Sequence, residues 1–116
     1  MIRNVVMGRL RPADGEAALR DRRQLDEGLA GIAALRLPGL LSNRIGLDLG
    51  LREGGWSFAI TNDWVDADAY RTYDLDPEHN RFRAMVVEVC EQVARVQFEA
   101  CSSSEVWLPG SSPAGP

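Results

Sequence analysis

Apolar and polar residues alternate through IRNVVMGRL (residues 2–10), and a period of two predicts a strand. Ile2, Asn4, Val6, Gly8 and Leu10 share one face; Arg3, Val5, Met7 and Arg9 share the other. RPADGE interrupts the pattern. From residue 15 to 36 the period becomes helical, with Ala18, Leu25, Leu29 and Ile32 on one side and charged residues opposite. LPGL (37–40) stops that helix. Alternation returns in LSNRIGLDL (41–49), with Leu41, Ile45, Leu47 and Leu49 on one face and Ser42, Arg44 and Asp48 on the other. LREGG (51–55) supplies glycine where a hairpin must turn. WSFAITNDW (56–64) places Trp56, Phe58, Ile60, Asn62 and Trp64 together. VDADAYRTY then reads as a short helix. Asp76 suits an N-cap and Pro77 the first helical position, so a helix is expected from Pro77 to Glu91. Its stripe is His79, Phe82, Val86, Val89, Cys90 and Val93, and VARVQFEA (93–100) closes as a last strand.

The order β-α-β-β-α-β predicts an α+β, ferredoxin-like unit, a four-stranded antiparallel sheet with its helices on one face. Right-handed crossovers give the strand order 4-1-3-2. One domain is expected over residues 1–100, followed by a Ser/Pro/Gly-rich, mobile tail at 101–116.

That topology puts the start of the first strand beside the end of the third, and the last helix begins nearby. Asn4, Asn62, Tyr73 and His79 therefore converge at one end of the layer between sheet and helices. Each is polar where the pattern calls for burial. Gly8, on the same strand face, leaves space beneath the helices. Two readings stand side by side: the polar groups satisfy one another, or they line a small-molecule pocket. His79 lies near a helix N-terminus, and the helix dipole together with burial lowers its pKa and favours neutral imidazole. Such a ring accepts a proton at neutral pH.

Composition narrows the field. The chain has 116 residues and a net charge of -4, which argues against nucleic acid as a partner. All 13 basic residues are arginine, so neither a Schiff-base lysine nor a Walker A lysine exists. One histidine and two separated cysteines, Cys90 and Cys101, do not make a zinc site, and Cys90 is expected to be a small core residue. MIRNVVMGRL lacks the apolar run of a signal peptide, and no stretch suffices to span a membrane. A cytoplasmic protein without a membrane partner is expected.

MIRNVV, LPG after the first helix, and Y-x-x-D-P-x-H-x-x-F at residues 73–82 resemble the Dabb family, the stress-responsive A/B-barrel proteins. The resemblance implies a homodimer in which two sheets pair face to face as a dimeric α/β barrel, covering Val5, Met7 and Ala59. It also implies, by similarity to olivetolic acid cyclase-like polyketide cyclases, a cofactor-free cyclase or lyase acting on a small β-keto or aromatic metabolite. His79 would take a proton from carbon and Tyr73 would hold the carbonyl oxygen where charge develops. Asn4, Asn62, Phe58, Gly8, Trp64 and Phe82 are the candidate substrate-binding residues. The cyclases carry histidines where Asn4 and Phe58 stand here, and the first motif histidine is Asp76. Two other readings remain: a non-catalytic dimer that binds a small molecule or serves in stress response, and a heme-degrading monooxygenase using Asn4, Trp64 and His79.

Overall fold

The computed structural model describes residues 1–100; Cys101 and the tail expected at 101–116 lie outside the described residues. The elements run β1 (Ile2–Leu10), α1 (Gly15–Ala33), β2 (Leu40–Leu47), β3 (Phe58–Trp64), α2 (Ala67–Leu75), α3 (Pro77–Glu88) and β4 (Cys90–Glu99). All strand pairs are antiparallel in the order β2-β3-β1-β4, which is the expected order read from the other edge. The fold is ferredoxin-like α+β, with a third short helix between β3 and the main second helix. Among the described residues, no helix is long and apolar enough to cross a membrane.

One face of the sheet is covered by helices. Leu25, Leu29 and Ile32 of α1 and Val86 of α3 bury against Phe58 and Ile60 of β3, with Val89 completing the cluster. A second cluster, Leu35, Trp64 and Tyr73, fills the end where α2 packs. The other sheet face is open: Met7, Val96 and Phe98 are exposed there.

Three expectations are corrected. First, α3 stops at Glu88, and the chain reverses at once into β4 at Cys90. The strand expected from Val93 thus begins three residues earlier, and Cys90 belongs to it; the spacing of Val86, Val89, Cys90 and Val93 continued the helical stripe and concealed the boundary. Cys90 does pack against the core, and burial raises its thiol pKa. Second, the register of β2 shifts between Leu40 and Ser42, which leaves Leu41 exposed, and Leu49 lies beyond the strand, exposed. Third, Gly8 does not leave a void. A Cβ at that position would overlap the Phe58 ring, which fills the space under the helices. Trp56 lies outside β3, its ring under the guanidinium of Arg9 at 4.6 Å.

The helix expected over residues 15–36 ends earlier, at Ala33, so LPGL does not stop it; the turn into β2 falls instead to Gly39. Its φ of +84° is one that side-chain-bearing residues rarely adopt, and a Cβ there would meet Ala69 and Val65. Asp21, buried on α1, is held by Arg11 through two bonds of 2.8 Å, and that guanidinium lowers the Asp21 pKa.

Candidate functional site

The end of the layer opposite Phe58 is built from matched positions on all four strands. Asn4 pairs in register with both Asn62 and Gln97, and Asn62 pairs with Asn43. Residues opposite one another point to the same face, so four amides form a row across the sheet, under the helices. Gln97 Nε2 donates to Asn4 Oδ1 at 3.0 Å, and Asn4 Nδ2 donates to Asn62 Oδ1 at 3.0 Å. Asn62 Nδ2 donates to Asn43 Oδ1 at 3.4 Å, and Asn43 Nδ2 donates to the Ile32 carbonyl at 3.0 Å. Trp64 Nε1 also donates to Asn62 Oδ1, at 2.7 Å. An indole N–H can only donate, so this bond fixes which side of the Asn62 amide is oxygen.

The remaining Asn62 donor function reaches Tyr73: its Nδ2 donates to the Tyr73 hydroxyl oxygen at 3.3 Å. The hydroxyl accepts this bond, which leaves its own proton to donate elsewhere. Tyr73 lies on α2 between two rings. Trp64 is tilted against it at 4.7 Å between centroids, and His79 stacks on it at 3.8 Å with 26° between planes.

His79 reaches this position through the start of α3. Asp76 has extended backbone and its carboxylate accepts the His79 backbone N–H at 2.8 Å. The cap satisfies an otherwise unpaired helix donor and fixes the first turn, which turns the imidazole under the helix. Only 4% of His79 is exposed, and its Nδ1 has no hydrogen-bond partner. Burial and the nearby Arg83 cation lower its pKa to about 4, against the opposing pull of the Tyr73 backbone, Asp74 and Asp76. Burial pushes Tyr73 up to about 12, with the Asn62 bond acting the other way. At neutral pH the pair is an uncharged imidazole against an un-ionised phenol.

A recess of about 30 Å³ lies against this pair, bordered by Asn4, Val6, Ile60, Tyr70, Val86 and Val93 besides Tyr73 and His79. That volume suits one or two waters, or a single carbonyl group. Three charged residues also border it, Asp74, Arg83 and Arg95.

Asn4, Asn62, Tyr73 and His79 thus converge as the topology required. Of these four, Asn4, Tyr73 and His79 border the recess and Asn62 lies behind Tyr73; Gly8, Phe58, Phe82 and Trp64 do not border it either. Gly8 and Phe58 pack against each other toward the far end, and Phe82 lies over Gly31 between the two long helices. Trp64 stands behind Asn62 and Tyr73 as a support, with 1% exposure, so the Asn4–Trp64–His79 set does not surround a common space. The recess does not fit a tetrapyrrole. Sequence reading missed Asn43, Gln97, Tyr70, Arg83 and Arg95. Helical spacing could have found two, since Arg83 is four residues after His79 and Tyr70 three before Tyr73.

No family model matches the chain, and no curated protein sequence matches it. Solved structures do. A dimeric ferredoxin-like protein of unknown function from Thermobifida fusca is 27% identical, with a TM-score of 0.66 over 85% of this chain and 90% of that one. A Dabb family protein with a ferredoxin-like fold from Mesorhizobium loti is 22% identical, with a TM-score of 0.64 over 87% of this chain and 97% of that one. A hydroxynitrile lyase from Passiflora edulis is 18% identical, with a TM-score of 0.66 over 84% and 90%. The chain therefore has the ferredoxin-like fold of these proteins. The Dabb resemblance carried by the Tyr73–Phe82 segment is matched by a Dabb protein at the level of fold.

Proposed function

We propose that the chain is a cofactor-free acid–base catalyst, a cyclase or lyase of β-keto or aromatic metabolites, working through His79 and Tyr73. The observation that carries this reading is the unpaired Nδ1 of a buried, uncharged histidine stacked on a tyrosine whose hydroxyl proton is uncommitted. The imidazole takes a proton from carbon next to a carbonyl. The phenol donates to the oxygen on which negative charge appears, in surroundings poor in water. Negative charge growing beside His79 raises its proton affinity, which offsets the effect of Arg83. The row of amides holds the phenol in place and does not itself react. The existence of a lyase with this fold supports the reading, since the fold accommodates such chemistry.

The test is deuterium exchange into the methylene of methyl acetoacetate, followed by proton NMR. The wild type should exceed the buffer rate, and His79→Gln and Tyr73→Phe should each lose about two orders of magnitude or more while remaining folded. Wild-type exchange at the buffer rate would argue for the second reading, a non-catalytic binding protein. What favours that alternative is that Asn4, Asn62, Trp64, Tyr73 and Gln97 already bond to one another, as polar groups in a structural core do.

The same reading includes a homodimer formed through the open sheet face. Met7 is 38% exposed, Val96 53% and Phe98 45%, a strip of apolar residues that a second copy would cover. The Thermobifida fusca protein, described as dimeric, supports it.

A further inference from the structure

We propose that the recess takes a small oxo acid, with its carboxylate held at the mouth by Arg95 and Arg83 and its carbonyl directed inward to Tyr73 and His79. This inference rests on the proposed function, in that it takes the Tyr73–His79 end as the end that meets the reacting carbonyl.

The charges at the mouth carry the argument. The charged residues bordering the recess are Arg83, Arg95 and Asp74, two cations and one anion. His79 and Tyr73 are uncharged at neutral pH. The mouth is therefore locally positive in a chain whose net charge is -4, so the excess is not a background property. Arg83 is partly committed: it donates to Asp74 Oδ1 at 2.8 Å and also to Asn80. Arg95 has no ion pair or hydrogen bond among the described residues. It sits opposite Val6 in the register, hence on the helix side of the edge strand β4. Both cations act on the hydroxyl of Tyr70, whose pKa burial raises and these two arginines pull down. The two guanidinium groups therefore serve one small region.

The recess has room for a carbonyl and not for an extended chain, so the remainder of a ligand must lie at this mouth. A carboxylate there gains charge-assisted bonds from a guanidinium that has no other partner among the described residues. Asp74 excludes a second negative group close by. The carboxylate also screens His79 from Arg83, which restores basicity to the imidazole when substrate is present. The competing explanation for Arg95 is an inward charge that protects a sheet edge from pairing with other strands.

The experiment uses the full chain and three probes: acetoacetate, its uncharged methyl ester, and butyrate, which has the carboxylate without the keto group. Since His79 is the only histidine, its imidazole proton resonances report on the recess without ambiguity. Wild-type protein should bind acetoacetate about ten times more tightly than either other probe, with the His79 signals shifting on titration. Arg95→Gln should remove the advantage over the ester without changing the ester's Kd, and Arg95→Lys should keep most of it. Equal affinity for acid and ester, equal affinity for acetoacetate and butyrate, or an Arg95→Gln protein that retains the preference would each overturn the assignment. The last result would leave Arg95 as an edge guard. Selective binding of acetoacetate by a protein that shows no methylene exchange would overturn the proposed catalysis and leave this inference standing. Exchange without charge preference would do the reverse.

Discussion

At the scale of single residues, His79 shows how far a sequence can be read. Its helical stripe position and the preceding Asp-Pro pair establish that it is buried and capped, and the direction of its pKa follows. Arg83 was legible only as a neighbour, four residues on and therefore beside His79 on the helix; that its cation bears on a buried ring follows only from the packing. The low value has a consequence for stability. The folded-state pKa of about 4 lies below the ordinary value of 6.5, so the unfolded chain takes up the proton first. The contribution of neutral His79 is fully present above about pH 6.5 and is lost as the pH falls toward 4. Urea denaturation at pH 7 and pH 4.5 should show wild type losing about 2–3 kcal/mol more than His79→Gln over that range. Equal losses would place the acid sensitivity between pH 7 and 4.5 at groups other than His79.

At the scale of elements, the strand and helix periods gave β1 and the inward face of β3 residue by residue. They failed where two elements share a vocabulary: between Val86 and Val93 the apolar positions, separated by Glu88, Glu91 and Gln92, continue the helical stripe although the chain has already passed from α3 into β4. They also failed where packing decides. Gly8 looked like space, yet Phe58 occupies it, and a ring's direction across the layer is set by the helices above it. The start of α3 was fully legible, since Asp76 and Pro77 carry their own mechanism. Asp76→Ala should cost about 1 kcal/mol in thermal or urea unfolding. Because the cap also orients the first turn, the same variant should shift the His79 imidazole resonances in the folded protein. An unchanged His79 spectrum would mean that stacking on Tyr73, not the cap, sets the ring's place.

At the scale of the whole molecule, the strand order followed from handedness rules and needed no packing detail. The row of amides was half legible: Asn4 and Asn62 stood out as polar residues at inward positions. Asn43 hid in a strand whose register shifts, and Gln97 on an exposed edge strand gave no contrast. The open sheet face bears on assembly. Val96→Asp adds a charge to a half-exposed apolar position, a change worth within about 0.5 kcal/mol on a monomer's surface. If two sheets pair as proposed, light scattering should find the wild type at twice the chain mass of 12.8 kDa and the variant at or near one. A wild-type monomer would refute the barrel.

The amide row has a further consequence, for how the chain finds its alignment. Moving β1 by two residues against β3 keeps every inward residue inward, so burial alone does not forbid it. In that slipped pairing Ile2 or Val6 would face Asn62 in place of Asn4. The Asn4 Nδ2 donor would lose its partner and the Asn62 oxygen one of its two donors, in a dry layer. The same holds for β4 through Gln97 and for β2 through Asn43. One polar residue per strand, all at a single level, works as an alignment mark: it penalises each near-miss pairing that a purely apolar face would tolerate.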